Sequence, residues 1–360
     1  MRTVNDLKET KAFNMLKITT SLLKKAFRRY LLPLCCLFIV AGPAVGQPQS
    51  EAMLKQKQAE FVKWKYGIFL HFNMGTFVDK EWATGYEDPL LFNPARLNCG
   101  QWAAAAKAAG MKYGVLTVKH TGGWCLWDSK YTTHDITAFK NYKNGHGDIV
   151  REFVDAFRKK GLKVGLYYCL PGDYSGGYGN VPVKGRKDLH GLPPEAGDDY
   201  EGFIEKQITE LLSNYGAIDL LWFDQYQNKY TVKYWPQLKA LVHRLQPNCI
   251  VVANNSDNYQ DSDIIGYEYP YRKQATPDKA IPPEGNKNPG ELCDCIDAGG
   301  LWFRHTGPAT LQNAGVVSNM IKLCNSRNTN YLLDVPPGRE GLIEQPYIQR
   351  LAEIKKLLGK

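Results

Sequence analysis

Ile218-Asp219-Leu220-Leu221-Trp222-Phe223-Asp224 is the stretch that decides how this 360-residue chain is to be read. A strand with one face in water alternates polar and apolar residues. A run this continuously apolar is buried on both faces, as in a parallel sheet covered by helices. It closes on a carboxylate, and an ionised group at the end of a buried strand needs a partner or a purpose. Asp219 is not that partner. Five residues along a strand place it on the opposite face and roughly 17 Å away, at about 3.3 Å per residue, so it is assigned to the strand entrance.

Working outward, comparable runs occupy residues 66–72, 113–120, 163–170, 249–254, 263–269, 301–305 and 331–335. Helical patterns separate most of them, at 100–109, 148–160, 200–215, 232–245, 309–325 and 346–358. Gly110 and Gly161 follow two of these patterns, where a left-handed residue ends a helix. Eight buried strands alternating with helices predict a somewhat irregular (β/α)8 TIM-like barrel. No Gly-x-Gly-x-x-Gly follows the first strand, which argues against a dinucleotide-binding fold. The link 255–262 is too short for a full helix. The stretch 270–300, long and rich in Pro and Gly, reads as an active-site loop.

The net charge of +9 is concentrated at the front. Residues 1–46 hold eight Lys and Arg against Asp6 and Glu9, which leaves only +3 for the remainder. The basic balance is therefore a targeting feature and predicts no nucleic-acid partner. A basic cluster ending at Arg28-Arg29, an apolar run 30–42 and the small-x-small site Ala44-Val45-Gly46 predict a secretory signal over residues 1–46. The run of about 13 apolar residues is too short to span a bilayer. One catalytic domain, residues 47–360, is expected to remain, exported to the periplasm or beyond. Its seven cysteines (Cys99, Cys125, Cys169, Cys249, Cys293, Cys295 and Cys324) are odd in number and scattered, unlike a disulfide framework. Cys293 and Cys295 lack a second His/Cys pair at zinc spacing. No cofactor and no metal are expected.

In a barrel of this kind the reacting groups sit where strands end. His71, His120, Asp224, Asn254, Glu268 and His305 all fall at such ends. A pair of carboxyls about 5–5.5 Å apart is what glycoside hydrolysis with retention requires. Glu268 closes a strand two positions round the barrel from Asp224 and is the first choice for the acid/base. Glu291, on the long loop, is the alternative. A metal site at the rim is the competing reading, disfavoured because the polar groups are mixed with aromatics and lack His-x-His spacing. No serine nucleophile elbow and no phosphate-binding loop is present.

Taken in order, these segments resemble the α-L-fucosidases of glycoside hydrolase family 29, from about residue 64 to 343. The resemblance rests on 65–71 ending in His71, Glu81-Trp82 with 85–94, Lys119-His120 with 125–131, Gly165-Leu166-Tyr167 and Leu221-Trp222-Phe223-Asp224. Residues 81–89, 265–268, 302–305, 332–337 and 341–343 are similar to the subgroup that prefers α-1,3/1,4-linked fucose on Lewis-type glycans. The resemblance implies Asp224 as nucleophile and Glu268 as acid/base. It implies His71, Glu81, Trp82, His120 and Tyr167 around the sugar, with Trp302 lining the site, and a fucosylated glycan as substrate. The chain departs from the family pattern at Thr121, where a second histidine is usual, at Gln225, where glycine is usual, and at Asp334, where asparagine is usual. The C-terminal β-sandwich that most members carry has no counterpart. The alternatives are the same machinery retuned to another sugar, such as an α-L-galactoside, or a carbohydrate-binding protein of weak activity.

Overall fold

The computed structural model describes residues 50–170, 199–227 and 231–359; the segment read as an export signal lies outside them. Among the described residues no helix is long and apolar enough to cross a membrane. The chain opens with helix α1 (Glu51–Phe61) and strand β1 (Tyr66–Leu70), followed by α2 (Met74–Val78) and α3 (Cys99–Ala108). Then come β2 (Tyr113–Lys119), α4 (Ile149–Lys159), β3 (Lys163–Cys169), α5 (Tyr200–Asn214), β4 (Leu220–Asp224), α6 (Trp235–Leu245) and β5 (Ile250–Ala253). The last third holds β6 (Ile265–Glu268), α7 (Tyr269–Ala275), β7 (Gly290–Cys295), α8 (Ala314–Ser326), β8 (Thr329–Asp334) and α9 (Gln345–Leu358). Asn98 and Asp148 cap α3 and α4 through their side chains, and Gly110 and Gly161 leave those helices at φ 85° and 68°.

All pairings are parallel, in the order β5-β4-β3-β2-β1-β8-β7-β6. The eight strands form a nearly closed (β/α)8 barrel, as the alternation predicted. One face of the strands packs on the helices and the other fills the barrel. Phe69, Tyr113, Val115, Tyr167, Leu220, Trp222, Ile250, Val252, Cys293 and Leu332 form the inner cluster, closed at the bottom by Phe61 of α1. A Cβ on Gly67 would meet the Tyr113 ring at 2.4 Å, so glycine there makes room for that inner tyrosine. The period of two carries the parity on: Leu220 and Trp222 face inward, and so does Asp224.

Two expectations fail. Residues 301–305 form no strand, and the seventh strand is β7, inside the stretch read as a loop. Its sequence hides it. Glu291 faces into the barrel and Asp294 outward, so acids interrupt both faces of a strand buried along its whole length. Each acid is hydrogen-bonded, Glu291 by Tyr113 and Trp222, Asp294 by Tyr331 and Gln312. Leu301-Trp302-Phe303 looks like a strand only by composition. Helix α1 also escaped the pattern reading, because Lys57 and Gln58 make up most of its buried surface.

No ladder joins β5 to β6. A side-chain seam does. Asp263 N–H donates to Val251 O at 2.7 Å, and Val251 N–H donates to Asp263 Oδ2 at 3.0 Å. Ala253 N–H reaches Ser262 Oγ at 3.1 Å. Asp263 is fully buried and draws Lys57 (3.1 Å), His243 (2.9 Å) and Lys239 (3.3 Å) around its carboxylate. Burial opposes its ionisation, but His243 and the two lysines outweigh that and hold it below the usual carboxylate range.

Replacing Asp263 by Ala leaves two ammonium groups uncompensated and is expected to cost about 3–5 kcal/mol in urea unfolding. Because the folded state holds this carboxyl ionised, its contribution is complete above a pH of about 4 and drains away below it. The difference between wild type and Asp263→Ala should therefore narrow on acidification; a constant difference from pH 7 to 3 would refute the assignment.

Candidate active site

The inward parity of the strands brings polar side chains together at their C-terminal ends. His71 follows β1, His120 follows β2, Tyr167 lies in β3, Asp224 ends β4, Asn254 follows β5 and Glu268 ends β6. These residues wall one cavity together with Glu81, Trp82, Gln225, Cys293 and Trp302. Of the candidate site residues singled out from sequence, Glu291 and His305 stand apart from this wall. Glu291 lies on β7 and not on a loop, below Trp222, bonded to Tyr113 Oη at 2.6 Å and Trp222 Nε1 at 3.0 Å. Asp219 lies at the opposite end of β4, held by Val164 N–H at 2.9 Å and Lys163 at 2.8 Å.

Asp224 accepts three hydrogen bonds. Tyr167 donates to Oδ2 at 2.8 Å, while Gln225 N–H (2.8 Å) and Asn254 Nδ2 (2.9 Å) donate to Oδ1. The same Asn254 nitrogen donates to Glu268 Oε2 at 2.9 Å. One amide group thus spans both carboxyls, and the two hydrogens of an NH2 diverge so that the oxygens they reach lie roughly 5 Å apart. Asn255 adds a second donor to Glu268 Oε2 at 2.8 Å, and its own Oδ1 is gripped by Arg272 Nε at 2.8 Å. Burial and the charge of Asp224 push Glu268 up to about 7, against the two amides.

Most of the remaining wall is aromatic and neutral. Tyr167 stacks between His120 (ring centroids 5.5 Å apart) and Trp222 (5.3 Å). Burial pushes His71 down to about 3, against the pull of Asp224, and drives His120 well below its usual value, helped by His71. Both imidazoles are therefore uncharged hydrogen-bonding groups at neutral pH. Thr121 is buried, and its Oγ1 lies 3.1 Å from His120 Nδ1, so it orients that ring. Glu81 ties the far rim. It accepts Trp302 N–H at 2.7 Å and lies 2.9 Å from His305 Nε2, which places His305 behind the site instead of at a strand end. Trp302 stands 5.0 Å from the His71 ring, and Trp82 is exposed at the mouth.

Residues 83–360 match the sequence profile of the α-L-fucosidase family. The chain belongs to that family. It is 29% identical to α-L-fucosidase 1 of Arabidopsis thaliana over 336 residues, which cover 86% of this chain and 62% of the relative. Tissue α-L-fucosidase of Homo sapiens is 25% identical over 277 residues, 72% of this chain and 53% of the human protein. The chain thus spans less than two thirds of the length of these two relatives. Among solved structures, α-L-fucosidase isoenzyme 1 from Paenibacillus thiaminolyticus superposes with a TM-score of 0.67 at 26% identity, over 85% of this chain and 76% of that one.

Family membership gives the three departures a structural setting. Thr121 meets His120, as above. Gln225 takes φ +57°, the left-handed region where glycine is free of strain. Asp334 is fully buried at the end of β8, its Oδ1 2.8 Å from His71 Nδ1, its Oδ2 without a hydrogen bond. Burial raises the Asp334 pKa well above the usual carboxylate value. Asn255, Arg272 and Cys293 were not singled out as site residues from sequence; the first two work behind Glu268, and the third sits on the misread strand.

A carboxyl with a raised folded pKa costs stability as pH climbs from about 4 toward that pKa. Asp334→Asn removes the titration and keeps the shape. It should be more stable than wild type at pH 7 by on the order of 1 kcal/mol, with no such gain at pH 4. Equal effects at both pH values in urea titrations would sink this account.

Proposed function

We propose that the chain hydrolyses α-linked L-fucosides with retention, Asp224 acting as nucleophile and Glu268 as acid/base. The observation that carries this reading is the single Asn254 nitrogen bonded to both carboxyls. It holds them at a spacing suited to a covalent glycosyl-enzyme, with too little room for a water between carboxylate and sugar, as inversion needs. The names of the relatives direct the sugar to fucose.

The two carboxyls are differentiated by their surroundings. Asp224 takes a phenol, an amide and a backbone N–H, all of which stabilise its anion. Glu268 is buried beside that anion and keeps its proton near neutrality. In the first step Asp224 attacks the anomeric carbon while Glu268 protonates the departing oxygen. In the second, Glu268 takes a proton from water, which displaces the sugar from Asp224. Tyr167 stays bonded to the Asp224 carboxylate as it leaves. His71, His120 and Glu81 provide hydrogen bonds to sugar hydroxyls, and Trp82 and Trp302 offer apolar surface to the ring. The preferred linkage in this reading is α-1,3/1,4 on Lewis-type glycans, met outside the cytoplasm after removal of residues 1–46.

Asp224→Asn should lower turnover of an aryl α-L-fucoside by about four orders of magnitude or more, with the aryl α-L-galactoside as the sugar control. Near-wild-type turnover would exclude Asp224 as nucleophile. Glu268 acts first as an acid, so wild-type kcat/KM should fall as pH rises through about 7. Glu268→Gln should remove that limb and regain activity on activated aryl fucosides when azide is added. An unchanged alkaline limb in the variant would assign it to another group.

A further inference from the structure

Glu291 is buried inside the barrel, below the catalytic cavity, and hydrolysis as read above gives it no task. Both of its oxygens are engaged. Oε2 accepts the Tyr113 hydroxyl at 2.6 Å, and Oε1 accepts the Trp222 indole N–H at 3.0 Å. Trp222 in turn stacks on Tyr167, the two rings inclined by 24°, and Tyr167 donates to Asp224 Oδ2 at 2.8 Å. From this chain of contacts we propose that Glu291 is a positioning residue, which sets the Trp222 indole and, through it, Tyr167 and the Asp224 carboxylate. The proposal rests on the hydrolase reading above, because it takes Asp224 as the nucleophile that the chain serves.

Each link carries position for a physical reason. Tyr113 is fixed from below: its ring fills the space that Gly67 leaves and packs against Trp64, with centroids 5.3 Å apart. Glu291 ties this anchored ring to Trp222, across the barrel from β7 to β4. An indole has two broad orientations about its Cβ–Cγ bond, and the bond to Oε1 selects the one that turns Nε1 toward Glu291. That orientation sets the plane on which Tyr167 rests, with His120 stacked on its other side. The hold on Trp222 does not depend on charge. Burial pushes Glu291 up to about 7, against its two donors. An indole N–H can only donate, so Oε1 stays an acceptor in either state, and the proton of the neutral acid lies on Oε2, facing Tyr113. A glutamine reproduces that neutral form, its oxygen accepting from Trp222 and its nitrogen donating to Tyr113. Leucine fills the space and offers neither.

The test compares Glu291→Gln, Glu291→Leu and Trp222→Phe in the full chain, with kcat expressed per folded molecule. On an aryl α-L-fucoside, Glu291→Leu should lower kcat by about tenfold to a hundredfold, the scale of a displaced reacting group. Its KM should stay within about threefold of wild type, and Glu291→Gln should bring kcat back to within about threefold. Trp222→Phe keeps a ring beneath Tyr167 and removes the N–H, so it should lose kcat as Glu291→Leu does. The double variant should then lose no more than either single one. A group that served stability alone would leave kcat per folded molecule unchanged, and that result in Glu291→Leu overturns the proposal. Losses that multiply in the double variant overturn it too. If Glu291→Leu does not fold, Trp222→Phe decides, and undiminished kcat there overturns the proposal. Binding of the L-fuco iminosugar deoxyfuconojirimycin, whose ammonium pairs with the Asp224 carboxylate, reads the chain without turnover. Its affinity should fall about tenfold in Glu291→Leu. That fall in a protein that hydrolyses no fucoside would sink the hydrolase reading and keep the chain.

Discussion

Asp263 carries the constraint on which the rest of the site depends. A barrel needs its last two strands joined, and here β5 and β6 have no ladder to join them. The Asp263 carboxylate takes the place of a backbone carbonyl by accepting Val251 N–H, and three cationic or imidazole groups from α1 and α6 keep it ionised. The consequence is felt at the other end of the strands. Asn254 follows β5 and Glu268 ends β6, so the seam sets how far apart they stand. A hydrogen-bonded ladder would impose the regular interstrand spacing. The side-chain seam permits the irregular fit in which two successive asparagines reach the same carboxylate oxygen.

The same economy of charge governs the mouth. Aromatic rings and neutral imidazoles line most of the cavity, so its field comes from three carboxyls, the pair Asp224 and Glu268 and the rim residue Glu81. Three donors hold the Asp224 carboxylate, while burial beside that charge raises the pKa of Glu268, and among the described residues no cation is in direct contact with either. Arg272 acts at one remove. It fixes Asn255, and Asn255 bonds to Glu268. A guanidinium directly on Glu268 would stabilise the anion and strip it of its acid function. An amide interposed between them transmits position with much less of the charge.

Much of this was legible in the chain because strand parity is a local property. Continuous apolar runs located seven of the eight strands, and their ends named five residues, His71, His120, Asp224, Asn254 and Glu268, that now wall one cavity; the family resemblance added Glu81, Trp82, Tyr167 and Trp302. β7 was missed for the reason that makes it distinctive. Its inward Glu291 and outward Asp294 are buried acids satisfied by phenol, indole and amide groups from distant strands and loops, partners that no window of local sequence can supply. Asn255 and Arg272 were silent likewise. Asn255 adopts φ +59° in a short turn, and Arg272 lies on a seven-residue helix; neither position announces that it meets Glu268. The seam at Asp263 belongs to the same class, since its ligands come from 206 and 20 residues away in the chain.

The departures at Thr121, Gln225 and Asp334 share a physical theme. Each lies one bond removed from a group that touches the reaction: Thr121 on His120, Gln225 on Asp224 through its backbone N–H, Asp334 on His71. Such positions set the orientation of a ring or carboxylate without changing the reacting atoms, so they can vary while the chemistry is kept. Gln225 differs from the other two because its side chain is free of the catalytic residue and only its backbone is engaged. The left-handed backbone delivers the N–H to Asp224 whatever the side chain. Gln225 therefore holds the nucleophile through its main chain alone, a task that glycine at that position would perform without backbone strain.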